Sequence, residues 1–356
     1  MNIAGPVLMM VGGLALAATW VIYPWLARHL VTKVGSRPKN GSGQEPTPAR
    51  ATVVFSVRNG IIALPEVLEC LDARRAEYPG LRVAVADDAS HDGSAELLAN
   101  WCASRAWTWL RRSSEPCGKN FQLNHLVQSN PAEVYIFIDG NSLMQPGAVA
   151  ALLEPIRSGC WVSVGRVLYR KSKAGSTTEE FYWARESRRF EEEAQRGILL
   201  QSNGGLFAAK ADICDSLDPA ASNDLEIPFR AAVAGRRIGY VRSSVVIEDA
   251  PSWDVGRRVR TARRAAYTVR AYWHRLPFWA RRHVLFTKVM RQNTLAFLAI
   301  IGLGGVLTWP PAGILGMMLS ILVIALPKTR SILGTVAGVQ WGFIIGGVLG
   351  KSVIRW

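Results

Sequence analysis

The sequence predicts an α/β domain with a mostly parallel sheet, plus transmembrane helices at the N- and C-termini. Three observations predict it. Short β-branched runs alternate with helical patterns between Thr52 and about Ala250. Nearly unbroken apolar stretches open and close the chain. A strongly basic segment sits where the domain meets the second apolar region. The order strand, helix, strand, helix implies parallel strands joined by crossover helices.

The elements follow in order. Ile3 to Leu26 is long enough to span a bilayer, which needs about twenty apolar residues. Arg28, His29 and Lys33 follow it in place of a cleavage site, so residues 1–33 read as a retained anchor with its basic end in the cytoplasm. Residues 34–50 are rich in Gly, Ser and Pro and form a linker. Residues 51–250 are the catalytic-size domain. Its expected strands are Thr52–Val57, Arg82–Ala86, Trp107–Leu110 and Val134–Ile138, with helices near Leu64–Arg75, Ser94–Arg105 and Asn120–Gln128. A Gly-rich loop, Gln201–Phe207, leads into a further strand. Residues 251–291 form a basic, aromatic-studded interfacial segment, and residues 292–356 an apolar tail. Within the tail, Thr294–Leu307 and Ala312–Leu326 flank Trp309-Pro310-Pro311 as a hairpin or re-entrant pair, and Ser331–Gly350 is the last expected span.

Composition narrows the class. The chain has 356 residues, 49% of them hydrophobic and only 19% charged, which excludes a disordered chain and suits a part-membrane protein. The net charge is +15, yet Gly256–Arg291 alone holds eleven Lys/Arg and no acid. Charge concentrated beside an apolar tail points to an anionic membrane surface as partner and away from nucleic acid. The five cysteines have no metal-ligand spacing and read as reduced thiols.

Polar clusters follow the expected strands at their carboxyl ends, where ligands of parallel sheets bind. They are Ser56-Val57-Arg58-Asn59-Gly60, Asp87-Asp88-Ala89-Ser90-His91-Asp92-Gly93-Ser94, Gly118-Lys119-Asn120, and Asp139-Gly140-Asn141. Lys119, just before a helix, suits an anion. Asp139 ends an apolar strand and needs a counter-charge, which a divalent cation supplies. Asn223-Asp224-Leu225-Glu226 opens a helix and reads either as a cap or as a carboxylate held for chemistry.

In this order the clusters resemble the membrane-anchored bacterial glycosyltransferases of family 2, which are inverting enzymes of the GT-A fold. The matching motifs are DDxSxDGS at Asp87–Ser94, GKxxxLN at Gly118–Asn124, DxD at Asp139–Asn141, (T)ED at Asn223–Glu226 and QxxRW at Arg260–Arg264. Among the letters that depart from the pattern, Asn141 stands for the second Asp, and Arg264 for the Trp.

The resemblance implies the rest. The donor is a nucleoside-diphosphate sugar, with a UDP-sugar expected, and the cofactor is Mg²⁺ or Mn²⁺. Ser56, Arg58, Asn59, Asp88, Lys119, Asp139, Arg260 and Arg263 bind the donor; Asp139 and Asn141 hold the metal. Asp88 takes the base edge, Lys119 and the arginines the diphosphate. Asp224 is the general base, with Glu226 as the alternative. Gly204, Gly205, Glu226 and Trp183 lie on the acceptor side. The acceptor is a lipid or lipid-linked saccharide for an envelope glycan, glycolipid or exopolysaccharide, at a multi-pass plasma-membrane protein with a cytoplasmic catalytic domain. Two alternatives stand beside this reading: a processive polysaccharide synthase, and a non-catalytic membrane scaffold. The sequence leaves the sugar, the linkage and the oligomeric state open.

Overall fold

A computed structural model describes residues 3–27, 50–170, 177–249, 255–311 and 327–350. By their contacts the residues divide into two compact units, Val31–Ser252 with Val353–Trp356, and Met1–Leu30 with Trp253–Ser352.

The first unit is an eight-stranded sheet in the order β3-β2-β1-β4-β7-β6-β8-β5. Its strands are β1 (Ala51–Val57), β2 (Arg82–Asp87), β3 (Thr108–Arg112), β4 (Val134–Ile138), β5 (Leu143–Met144), β6 (Val162–Arg170), β7 (Leu206–Lys210) and β8 (Ile238–Asp249). Strands β3, β2, β1 and β4 are parallel, as are β6 and β8. Strand β7 runs antiparallel to both β4 and β6, and β5 antiparallel to β8. The sheet is therefore mixed and mostly parallel.

All seven residues of β1 are buried, because helices cover both faces of the sheet. Val53, Phe55 and Val57 point to one layer with Leu64, Leu68 and Leu71 of α2 (Leu64–Glu77) and Leu98 of α3 (Ser94–Ala103). Val54 points to the other layer with Leu123 and Leu126 of α4 (Lys119–Ser129), Tyr135 and Phe137. Phe137 and Phe207 stack at 4.7 Å across the antiparallel β4–β7 pair. Each such fully buried side chain contributes about 1.5–3 kcal/mol of transfer free energy. The unit is completed by α5 (Ala148–Arg157), α6 (Thr177–Arg196) and α7 (Asn223–Val233).

The four expected strands form one half of the sheet, with boundaries within two residues of those expected. The third is shifted, from Trp107–Leu110 to Thr108–Arg112. Strands β6 and β8 escaped the reading because their pattern is broken. A bulge interrupts β6 between Val164 and Arg166, and Gly165 is required there: a Cβ would lie 2.5 Å from Leu206 and 2.9 Å from the Ser244 carbonyl oxygen.

The second unit contains α1 (Ala4–Ala27), α8 (Val255–Tyr272), α9 (Phe278–Met290), α10 (Thr294–Thr308) and α11 (Pro327–Val348). Helices α1 and α10 pack antiparallel through small residues, as helices in lipid do. A Cβ on Gly5 would lie 2.8 Å from the Gly304 oxygen, and one on Gly12 would lie 2.9 Å from the Phe297 oxygen. Near the other end of the pair, Trp20 Nε1 donates to Thr294 Oγ1 at 3.2 Å. Tyr23 Oη and His283 Nδ1 share a buried hydrogen bond of 2.8 Å.

One helix, Ala4–Ala27, is long and apolar enough to cross a membrane. The pair α9 and α10, bent by 65°, passes the same test only if both are taken together. The expected apolar stretch 312–326 lies outside the described residues, and among the described residues of α11 the apolar part is Val336–Val348. The expectation of several crossings is thus not supported among the described residues.

Candidate active site

The site lies at the carboxyl ends of the central strands. After β1 the chain turns through Asn59, whose φ of 53° lies in the left-handed region that Asn tolerates. Asn59 N–H donates to Ser90 Oγ at 3.0 Å, and Asn59 Oδ1 accepts from His91 N–H at 2.9 Å. Gly60 N–H donates to Ser94 Oγ, and Ile61 N–H to Asp92 Oδ2, both at 3.0 Å. Asp92 Oδ1 also accepts from the Ser94 hydroxyl at 2.6 Å, at the start of α3. The loops after β1 and β2 are therefore stitched together, with Asp92 as the knot. Burial opposes ionisation of Asp92, but the Ser94 and Ile61 donors outweigh it and hold its carboxyl below the ordinary value of 3.8. Ser56 sits at the buried end of β1, its hydroxyl without a hydrogen-bond partner among the described residues. Arg58 is half-buried in the same turn.

Asp88 follows directly after β2. It is 0% exposed, and its carboxylate accepts from Cys117 N–H at 2.8 Å, Gly118 N–H at 3.0 Å and Gln122 Nε2 at 2.6 Å. These bonds tie the Asp88 carboxylate to the loop before α4. Gln122 in turn donates to Ser113 and accepts from Arg111 Nε.

Gly118 has φ 93° and ψ 157°, a conformation essentially reserved for glycine. It delivers Lys119 to the first position of α4, and Lys119 Nζ donates to Asp139 Oδ1 at 2.5 Å. The two side chains are 17% and 31% exposed, so the pair faces the opening. Further along α4, Asn120 Nδ2 donates to the carbonyls of Asp218 and Ala221. Asn124 pairs with the Leu217 backbone in both directions, each at 2.7 Å. These two asparagines of the GKxxxLN pattern brace the loop that leads to α7.

Asp139 leaves the fully buried β4. Its turn closes through Ser142 N–H to the Asp139 carbonyl at 3.1 Å and includes half-buried Asn141. Ser142 Oγ then donates to Glu248 Oε1 at 2.5 Å. Glu248, near the end of β8 and 8% exposed, was not singled out from the sequence. Its only signal there was a carboxylate following the β-branched run Val245-Val246-Ile247. Gly205 makes room for it: a Cβ would lie 2.4 Å from Glu248 Oε1. The neighbouring Gly204, at φ 79°, faces Asp224, with its Cβ position 3.9 Å from Asp224 Oδ2.

Asp224 is half-buried in the first turn of α7, and Ser222 Oγ donates to its Oδ1. Its backbone carbonyl accepts from Ser202 N–H at 2.9 Å, which fixes the helix start to the Gly-rich loop. Glu226, the alternative base, points inward at 1% exposure. Its carboxylate accepts from Asp218 N–H and from Arg230 at 2.7 Å, so structural bonds occupy it. Trp183 lies on α6, its side chain outside the described residues. Arg260 and Arg263 lie on α8 of the other unit, Arg260 exposed and Arg263 half-buried against Gly342 and Gly346.

Lys119, Asp139, Ser142, Glu248, Gly205, Gly204 and Asp224 thus follow one another along the strand ends. No group of three His, Cys, Asp or Glu side chains that could hold a metal ion occurs among the described residues. One part-exposed carboxylate, Asp139, still fits a Mg²⁺- or Mn²⁺-type ion, because such ions take one or two carboxylates and complete their shell with substrate phosphates and water.

An open α/β sheet with an antiparallel β7, a carboxylate at the end of β4 and a second one opening α7 has the architecture of the GT-A glycosyltransferases. Residues 52–212 match glycosyl transferase family 2, so the chain carries a domain of that family and is a glycosyltransferase. Among solved structures it resembles a mannosyltransferase from Pyrobaculum calidifontis in complex with GDP-Man and Mn²⁺. The TM-score is 0.69 at 17% identity, covering 97% of this chain and 100% of that one. A glucosyl-3-phosphoglycerate synthase from Mycobacterium tuberculosis, solved with Mn²⁺, UDP and phosphoglyceric acid, matches at TM-score 0.46 and 17% identity, over 63% of this chain and 78% of that one. No curated protein sequence matches the chain.

Proposed function

We propose that the protein is a membrane-anchored, inverting glycosyltransferase that moves a sugar from a nucleoside-diphosphate sugar, with a UDP-sugar expected, to a hydroxyl of a lipid or lipid-linked saccharide. The observation that carries the reading is the half-buried Asp224 carboxylate, aimed at the Gly204–Gly205 backbone at the helix start. In the proposed reading the acceptor hydroxyl approaches this carboxylate.

In the proposed reaction, Asp224 takes the proton of the acceptor hydroxyl. The oxygen attacks the anomeric carbon from the face opposite the diphosphate, the bond to the diphosphate breaks, and the configuration inverts. Lys119 and the N-terminus of α4 meet the negative charge that gathers on the diphosphate. Asp139 would hold Mg²⁺ or Mn²⁺, with Asn141 beside it; the metal would neutralise diphosphate charge when bound. Arg58 and Asn59 line the nucleoside side. Asp88 supports this arrangement from below by fixing the Cys117–Gly118 backbone.

The anchor Ala4–Ala27 supports membrane attachment, and the basic α8 and α9 support an anionic surface beside it. That location supports a lipid-borne acceptor. Asp224→Asn tests the reading. Turnover should fall about 10²- to 10⁴-fold with sugar-nucleotide binding by calorimetry intact, which is the span of one general base. Wild-type turnover in that variant would refute the assignment.

A further inference from the structure

We infer that Lys119 and Asp139 make the donor site selective for a diphosphate that already carries its divalent metal, because each side chain masks the other from either component alone. The inference deepens the donor reading above and rests on it.

Lys119 Nζ donates to Asp139 Oδ1 at 2.5 Å. Among the described residues, neither side chain makes a second hydrogen bond or ion pair. Cation and carboxylate therefore neutralise each other. The backbone sets this pairing. Lys119 is the first residue of α4, delivered there by Gly118 in a conformation that other residues rarely adopt. Asp139 directly follows β4, whose five residues are all buried. The helix dipole disfavours a cation at that end of α4, so the ammonium gains from a carboxylate placed against it.

The proposed reaction gives the same two groups different partners, the metal for Asp139 and the diphosphate for Lys119. A metal ion alone reaches Asp139 by turning Lys119 away, which leaves an unpaired ammonium beside a dication. A diphosphate alone reaches Lys119 by uncovering the Asp139 carboxylate beside a polyanion. Each component alone thus gives up one ion pair and meets a like charge. Arriving together, metal and diphosphate replace one pair with two, and every charge keeps a counter-charge.

Partial exposure keeps the exchange within reach. Water touches both side chains, so it stabilises each during the swap, and the pair is weaker than a fully buried one. The acids nearby are held differently. Asp88 accepts from two backbone N–H groups and Gln122, and Glu248 accepts from Ser142 Oγ. The Lys119–Asp139 pair, by contrast, opens without breaking a backbone hydrogen bond.

Calorimetry on the full chain in neutral detergent tests this, with UDP or GDP as the probe, whichever the wild type binds in the presence of Mn²⁺. The wild type, Lys119→Met, Asp139→Asn and the double variant are each titrated in EDTA. Asp139→Asn should tighten metal-free nucleotide binding. The gain should be about 5-fold larger with Lys119 present than in the Lys119→Met background, the size of a solvent-screened ion pair. Equal gains in the two backgrounds would mean that Asp139 only repels the diphosphate, and would overturn the inference. Mn²⁺ alone, followed by electron paramagnetic resonance, should bind Lys119→Met more tightly than wild type; an unchanged affinity would overturn it as well. Lys119→Gln takes the place of the methionine variant if that one does not fold. If the wild type binds neither nucleotide with Mn²⁺, the donor reading falls first and the inference with it.

Discussion

Gly205→Ala is the sharpest probe of how the carboxylates are arranged. Gly205 does not have a positive φ, so alanine meets no backbone penalty there; the whole effect comes from the new methyl group. That methyl would lie 2.4 Å from Glu248 Oε1, 3.0 Å from Val167 Cγ2 and 3.3 Å from Glu248 Cδ. An ordinary contact needs about 1 Å more at the first of these. Glu248 must then move, and its 2.5 Å bond from Ser142 Oγ stretches or breaks. Overpacking of this kind costs about 1–3 kcal/mol, and a hydrogen bond to a charged group about 1.5–3 kcal/mol. Because the glutamate relaxes by losing the bond, the two costs do not add, and a stability loss of about 2 kcal/mol is expected. Ser142 also closes the turn that begins at Asp139, so a 1 Å displacement should lower turnover about 10²-fold. Glu248→Asp shortens the side chain by one methylene; combined with Gly205→Ala it should recover part of both losses. Chemical denaturation and initial rates on the four variants of that cycle measure it. Wild-type stability and turnover in Gly205→Ala would show that Glu248 does not stand over this glycine.

Three further outcomes follow from the same geometry. Glu226→Gln should cost about 2–3 kcal/mol, less than a fully buried pair because Arg230 is 18% exposed, while leaving turnover within a few-fold; a denaturation midpoint and kcat distinguish this from a catalytic role. Asp92 is held ionised in the folded state, so its contribution is present above the ordinary carboxylate range and lost as pH falls through its depressed folded value; Asp92→Asn should flatten the acid limb of stability against pH, and an unchanged limb would show that the knot between the two loops carries no stability. Excess EDTA should abolish transfer and added Mn²⁺ or Mg²⁺ restore it, as followed by diphosphate release; full activity in EDTA would mean that Lys119 suffices.

The half of the sheet from β1 to β4 was legible because each strand is a short buried run followed by a polar cluster. That half also places Lys119 and Asp139 at the opening. The roles of other residues were hidden by side-chain direction. Asp224 and Glu226 are two residues apart on one helix and so point to different faces, one to the Gly-rich loop and one inward to Arg230. Asp88 meets two backbone N–H groups and the Gln122 side chain, 29 to 34 residues away, partners that residue identity does not encode. Glu248 meets Ser142 across 106 residues, a separation that no local pattern reports.

The two asparagines of α4 make a single lever of two regions that are distant in the chain. Asn120 and Asn124 grip residues 217–221, whose far end is the start of the helix bearing Asp224. The near end of α4 is the turn that carries Lys119. Any pull on that turn by a diphosphate is passed, through helix and side-chain clamps, to the carboxylate that must meet the acceptor. With Lys119 and Asp224 in the proposed roles, this linkage predicts an order of events: the sugar nucleotide seats first, and the acceptor meets a base aligned by its partner substrate.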